Sequence, residues 1–383
     1  MRAKGLAVVL CAVLILALLS ACAGAAPAAV AWGGKGLGNG WQPESGMELQ
    51  YAQNFSVDDF SGGYKLISIA DGSRFLVVPE GSEAPEGIDD DIVILKQPVD
   101  HIYLVATSAM CLFDALGSLD SIAMSGTDAD GWYIENARRA MEDGDILYAG
   151  KYSKPDYELI LANGCKLAIE STMINHTPDV KEKLEDLGIP VLVEQSSYEK
   201  HPLGRTEWIK LYAAIMGKED AADRIFDEQV AYMDSVSGLE NTGKTVAFFY
   251  ISSSGSAITR KSGDYVTKMI ELAGGNYIFD NLGDSETATS TVTLEMEEFY
   301  ATAKDADYII YNSAIDGGVS SLEELIGKNK LLADFKAVKN GDVWCTGKNL
   351  YQETTQLGLM ISDIHEMLVD KNLTELHFMF KLQ

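Results

Sequence analysis

Lys166-Leu-Ala-Ile-Glu-Ser171, Thr172-Met-Ile-Asn-His-Thr177, Pro178-Asp-Val-Lys-Glu-Lys-Leu-Glu-Asp-Leu187 and Gly188-Ile-Pro-Val-Leu-Val193 run consecutively, and their reading decides the fold. Leu167 to Glu170 is a short apolar run with the length of a buried strand, and Pro178 to Leu187 has the length of a helix. Gly188 falls where a helix end wants a residue of positive φ, and Pro190 blocks continuation. Val191 to Val193 is then a second buried strand. Strand, helix and strand in this order form the βαβ unit of a parallel sheet.

The same rhythm extends upstream. His101 to Ala106 reads as a strand, Met110 to Leu116 as the helix after it, Ser121 to Met124 as a strand and Asp156 to Ala162 as a helix. This first lobe ends near Ser197. Downstream, Trp208, Leu211, Tyr212 and Ile215 fall on one helical face. Gly217 interrupts that helix, and a second pass from Ala221 through Ile225, Phe226 and Met233 runs to Gly238. The βαβ scheme then resumes. Thr245 to Ile251, Tyr308 to Tyr311 and Val343-Trp344 are strands, and Tyr265 to Leu272 and Gln356 to Val369 are helices. The expected architecture is α/β, with two Rossmann-like lobes built on central parallel sheets, a single long helix joining them and a ligand cleft between them. Before His101, Tyr64 to Ala70, the turn Asp71-Gly72-Ser73 and Phe75 to Val78 read as a β-hairpin.

The extreme N-terminus has a different purpose. Arg2 and Lys4 precede an apolar run from Leu6 to Leu19, which is a secretory signal rather than a membrane span. Leu19-Ser-Ala-Cys22 resembles the lipobox of bacterial lipoproteins, which implies cleavage before Cys22 and a lipid on that cysteine; an ordinary cleaved signal is the alternative. Two or more acyl chains hold a protein on a membrane for long periods. Ala23 to Trp41, rich in Ala and Gly, reads as a flexible spacer. The expected divisions are a signal at 1–21, a tether at 22–45, a first lobe with its added hairpin at 46–205, a linking helix at 206–240 and a second lobe at 241–383.

The formal charge of −27 argues against nucleic acid or an anionic bilayer as partner. Beyond Cys22 the cysteines are Cys111, Cys165 and Cys345, widely spaced and without a CxxC or Cys/His cluster. Cys111 and Cys165 sit in apolar runs as small core residues. The chain contains no GxSxG elbow, P-loop, HExxH or dinucleotide fingerprint, and Gly274-Gly275 is a turn after a helix, so an enzyme is not expected.

Three stretches in order, Pro155-Asp-Tyr-Glu-Leu-Ile160, Lys166-Leu-Ala-Ile-Glu170 and Leu184-Glu-Asp-Leu-Gly-Ile-Pro-Val191, resemble the first lobe of class III substrate-binding proteins of ABC importers. That family includes binding proteins for ferric siderophores, haem and cobalamin. Lys166 stands where the family usually has Asp. The resemblance covers roughly residues 100 to 370 and implies a monomer that hands its ligand to a permease dimer with a cytoplasmic ATPase. It also implies one exposed acidic residue on each lobe for docking. Glu295 aligns with the second-lobe member, and Asp179 or Glu158 would serve on the first.

In parallel α/β lobes, ligands meet the loops at the carboxyl ends of strands. Those loops offer Thr107, Ser108, Trp132, Tyr133, Lys151, Tyr152, Thr172 and Met173 in the first lobe. Ser253, Arg260, Tyr265 and Tyr351 are their counterparts in the second. Trp132 lies in a polar loop and is expected to touch ligand, whereas Trp208 lies on an apolar helix face and is expected in the core. Arg205 is read in a turn facing the hinge, where it grips a carboxylate or phosphate, or else pairs with Glu207 or Glu199. His176 and His201 are too few for a bare-metal site. No resident cofactor is expected. The ligand classes in order are an iron complex or a corrinoid, then haem, and a tethered sensor without transport has the same fold.

Overall fold

The structure is a computed structural model that describes residues 36–283 and 290–383. The signal, Cys22 and the spacer as far as residue 35 lie outside the described residues. The expected hairpin is present as the centre of a larger sheet. β1 (Ser45–Gly46), β2 (Phe55–Phe60), β3 (Tyr64–Ile69), β4 (Arg74–Val78) and β5 (Ile92–Lys96) are adjacent in that order. All pairs are antiparallel except β4 with β5. One face of this sheet joins the main core through Phe55, Val57, Ile67 and Phe75. Its other face, Phe60, Leu66, Leu76 and Val78, is covered by Leu37 and Trp41. The tether expected to reach residue 45 is therefore folded from Gly36 onward. Leu37 is wholly buried, and the Trp41 ring lies 5.2 Å from that of Tyr64. Two apolar side chains in an otherwise Gly-rich stretch suffice to hold it, because an open apolar sheet face favours any cover.

The first lobe contains β6 (Ile102–Leu104), β7 (Ile122–Ser125), β8 (Leu147–Tyr148), the ribbon β9 (Gly150–Lys151) with β10 (Lys154–Pro155), β11 (Leu167–Ser171) and β12 (Val191–Glu194). Its main sheet is wholly parallel, in the order β12-β11-β6-β7-β8. The helices are α1 (Met110–Ala115), α2 (Glu135–Glu142), α3 (Tyr157–Ala162) and α4 (Pro178–Asp186). Pro178 occupies the first turn of α4, and Gly188 follows with φ 78°, as the βαβ reading requires. Asp156 caps α3 by accepting the Leu159 N–H at 3.0 Å.

The link carries the break expected at Gly217. α5 (Pro202–Met216) ends on Gly217 at φ 66°, and α6 (Glu219–Val236) begins two residues later. The two helices pack against each other, so the connection is a helical pair and not one uninterrupted rod. Every residue of α5 from Pro202 to Ile215 is buried. Polar residues in such a helix need partners, and two glutamates find them in the N-terminal segment. Glu207 accepts the Gln50, Tyr51 and Ala52 N–H groups, each at 2.8 Å. Glu199 accepts the Gln53 and Asn54 N–H groups at 2.9 Å and the Trp208 indole at 3.0 Å. Trp208 is a core residue, as expected.

The second lobe carries β13 (Thr245–Ile251), β14 (Ala257–Arg260), β15 (Asn276–Tyr277), β16 (Thr291–Leu294), β17 (Tyr308–Tyr311), β18 (Val343–Thr346) and β19 (Met379–Lys381). The order is β16-β14-β13-β17-β18-β19, with β15 beside β13. β15, β13, β17, β18 and β16 run in one direction, and β14 and β19 run against them. The helices are α7 (Tyr265–Leu272), α8 (Met296–Ala303), α9 (Ser313–Asp316), α10 (Leu322–Lys328), α11 (Lys336–Asn340) and α12 (Leu357–Val369). α12 packs closely on α6 at Gly358, where an added Cβ would meet the Gln229 carbonyl oxygen at 2.0 Å. Cys111, Cys165 and Cys345 are free thiols.

Candidate functional site

Elements of the second lobe and of the link converge on Tyr265. This residue opens α7, whose N-terminus is capped by Asp264 accepting the Val266 N–H at 3.0 Å. The Arg205 guanidinium, from the first turn of α5, lies 4.0 Å from the Tyr265 ring centroid. Arg260, at the end of β14, lies 6.0 Å from the same ring and 5.3 Å from that of Tyr351. Such stacking suits guanidinium, which is planar and weakly hydrated. Burial pushes the Tyr265 hydroxyl up to about 12, against the pull of Arg205 and Arg260.

The two arginines are not equally compensated. Arg260 Nη1 faces Asp264 at 3.4 Å, and its Nη2 donates to the Tyr351 hydroxyl. Tyr351 is held in turn by Asn312, whose amide donates to it at 2.7 Å. Arg205 is 7% exposed, its Nε is buried without a hydrogen-bond partner, and no carboxylate among the described residues pairs with it. The expected turn at Gly204-Arg205 is helix, and Glu207 and Glu199 are engaged by the N-terminal segment instead. A buried, unpaired guanidinium costs free energy that an anionic ligand can return.

The first lobe has exposed apolar side chains of its own. Tyr133, Tyr148, Met173 and Tyr198 are all large, apolar and about half exposed. Tyr148, Met173 and Tyr198 lie at or just beyond the carboxyl end of a strand of the parallel sheet, and Tyr133 lies in the longer loop after β7. Lys151 is also exposed, and Thr107, Tyr152 and Thr172 are half-buried. Ser108 is directed inward, donating to Glu194 at 2.9 Å. Ser253 is exposed in the loop after β13. Glu158, Asp179 and Glu295 are all exposed at helix beginnings.

Trp132 differs from expectation. It is 2% exposed, and its indole N–H lies 3.1 Å from Ser125 Oγ and 3.2 Å from the Thr127 carbonyl oxygen. The polar residues around it form the turn that turns the ring inward, so Trp132 supports the loop and Tyr133 is the residue left at the surface. His201 is likewise structural. Its Nδ1 accepts the Leu203 N–H at the start of α5, its ring stacks on Tyr51, and burial followed by Lys268 holds its pKa down at about 4. Among the described residues no three His, Cys, Asp or Glu side chains are grouped to hold a metal ion.

Asn312, Asp264 and Tyr148 were not singled out in the sequence. Asn312 directly follows the strand Tyr308–Tyr311, so the carboxyl-end rule reaches it. Tyr148 closes a two-residue strand that apolar periodicity does not detect.

Two α/β lobes, the first on a parallel sheet and the second on a mixed one, are joined by a helical pair and share a polar, aromatic junction. The family model described as periplasmic binding protein matches residues 107–350, and the chain belongs to that family. An uncharacterized lipoprotein of Methanocaldococcus jannaschii is 26% identical over 351 residues, which is 84% of this chain and 80% of the relative. Among solved structures, the petrobactin-binding protein YclQ of Bacillus subtilis has a TM-score of 0.58 at 15% identity, covering 80% of this chain and 99% of its own. The vitamin B12 binding protein BtuF of Vibrio cholerae has a TM-score of 0.51 at 18% identity, covering 70% and 95%. A periplasmic haem-binding protein of Vibrio cholerae shares the fold as well, with a TM-score of 0.54 at 16% identity, covering 68% of this chain and 96% of its own. Members of the family serve transporters and are extracytoplasmic. No helix among the described residues is long and apolar enough to cross a membrane.

Proposed function

We propose that this protein, anchored through a lipid on Cys22, captures an iron chelate or a corrinoid between its lobes and delivers it to the permease dimer of an ABC importer. The observation that carries this reading is the uncompensated Arg205 beside Arg260 over Tyr265, in the junction between link and second lobe. Two buried guanidiniums suit the anionic edge of a ferric siderophore, because each offers fixed donors to carboxylate or catecholate oxygens. The exposed Tyr133, Tyr148 and Tyr198 favour a second reading, a broad corrinoid lying against aromatic faces. Glu158 or Asp179 on the first lobe and Glu295 on the second would orient the carrier on its permease, since exposed ion pairs steer more than they hold.

The test is a titration of the chain begun at Cys22 with an anionic ferric catecholate, a ferric hydroxamate, cyanocobalamin and haemin, followed by tryptophan fluorescence. The expected result is saturable quenching by the catecholate, weakened about tenfold, or about 1.4 kcal/mol, by Arg205→Met. Quenching by cyanocobalamin that ignores Arg205→Met selects the corrinoid. Silence from all four defeats chelate capture.

A further inference from the structure

A cavity of about 670 Å³ lies in the second lobe, lined among others by Ser313, Gly318, Gly327, Lys328, Thr346 and Lys348. It is outside the carboxyl ends of β17 and β18, the position at which parallel α/β sheets receive ligands, and its volume is that of a small-molecule site. None of its lining residues belongs to the arginine–tyrosine cluster. We propose that this cavity is a separate binding site for a small metabolite carrying an oxyanion, either a carboxylate or a phosphate ester.

The balance of free donors and acceptors in the lining gives the sign of the ligand. Lys348 is exposed and has no ion-pair or hydrogen-bond partner among the described residues. Thr346 is 2% exposed and its Oγ1 accepts the Ser313 N–H at 3.0 Å, which leaves its hydroxyl proton without an acceptor among the described residues. Glu324 is the lining carboxylate, and it is engaged. It accepts the Ser320 N–H at 2.7 Å and the Ser320 hydroxyl at 2.8 Å, closing the start of α10. Lys328 is fixed on Asp316 at 2.6 Å, and Asp316 also accepts the Gly318 N–H at 3.0 Å. The unused donors of the lining are therefore Lys348 and the Thr346 hydroxyl, with Lys328 paired to Asp316 and one Glu324 oxygen turned to Ser320.

Gly327 is the independent observation. It sits inside α10, where glycine is a poor helix former, and nothing lies within 4 Å of a Cβ built on it. Packing does not require a glycine there. Its effect is to leave the cavity open along one helix face.

The experiment is calorimetric titration of the full chain with inorganic phosphate, citrate and glucose 6-phosphate, with glucose as the neutral control. At least one anion is expected to bind saturably at millimolar concentration or below, and glucose is not. Lys348→Ala should weaken that binding at least tenfold, and Gly327→Leu, whose Cβ meets open space, should abolish it. Phosphate and citrate binding would separate the two sources of the oxyanion. No saturable heat from any of the three anions overturns the proposal, as does binding that persists unchanged in a folded Gly327→Leu. If Gly327→Leu loses its native circular dichroism, Lys348→Ala decides alone, because that exposed side chain makes no ion pair or hydrogen bond among the described residues. Chelate binding in the cleft is read separately on the same variants, so failure of one site does not affect the other.

Discussion

Gln352 of the second lobe grips the Tyr133 loop of the first with both ends of its amide. Its Oε1 accepts the Tyr133 N–H at 2.8 Å, and its Nε2 donates to the Gly131 carbonyl oxygen at 2.7 Å. The side chain thus acts as a short piece of extended backbone paired across the lobe boundary. Nearby, Thr206 at the start of the link donates to the Thr354 carbonyl oxygen at 2.8 Å. Together these bonds hold the loop bearing Tyr133 against the segment that also carries Tyr351.

Removal of this amide should loosen the junction. Gln352→Ala is expected to lower stability by about 2 kcal/mol, since a net hydrogen bond is worth about 1 kcal/mol and two backbone groups lose their partner. Urea unfolding would measure the loss, and faster hydrogen exchange at Tyr133 would locate it. Unchanged exchange at Tyr133 would mean that the bridge does not persist in solution.

Trp132 should behave as a core residue. Trp132→Ala is expected to cost about 3–5 kcal/mol, as large-to-small core changes do, whereas Trp132→Phe should cost much less. The decisive comparison is the ligand affinity of folded Trp132→Phe, which should match that of the natural chain. A tenfold loss in that variant would place the indole in contact with ligand after all.

Glu170 gives a pH signature. It is wholly buried at the end of β11, neither carboxyl oxygen has a hydrogen-bond partner, and burial raises its pKa to about 8. The folded state therefore keeps a proton that the unfolded chain releases near its ordinary value of about 4.3. Over that window the native state binds more protons than the unfolded state, so stability falls as pH rises and levels off above about 8. Glu170→Gln removes this contribution. Its stability relative to the natural chain should rise by a few kcal/mol between about pH 5 and 8. Denaturant midpoints at a series of pH values would test it, and a pH-independent difference would refute the buried acid.

Much of the framework was legible in the chain. Lys166 to Val193 contained a strand, a helix with its proline start and glycine stop, and a second strand, and each was found where the local pattern placed it. Gly217 marked the break in the link. The five-stranded N-terminal sheet was legible only as its central hairpin. β1 has two residues, and β5, Ile92-Val-Ile-Leu-Lys96, is a β-branched run that lies beyond the hairpin. The spacer was misread from Gly36 onward because composition suggested a leash, while the face that Leu37 and Trp41 cover does not exist until the sheet has formed.

Periodicity, caps and breakers act between residues a few positions apart, so the sequence by itself determined the α/β class, the two lobes and the helical connection between them. It also placed the loops at the carboxyl ends of the parallel strands, because these follow from strand direction. Only the tertiary structure decided which side chains in those loops face the junction. Trp132 turns inward while Tyr133 stays out, and Arg205 lies on Tyr265, sixty residues away in the chain, while Glu207 turns to Gln50, Tyr51 and Ala52. These outcomes depend on which groups burial brings within hydrogen-bonding distance, and no local pattern encodes the partner of a buried charge.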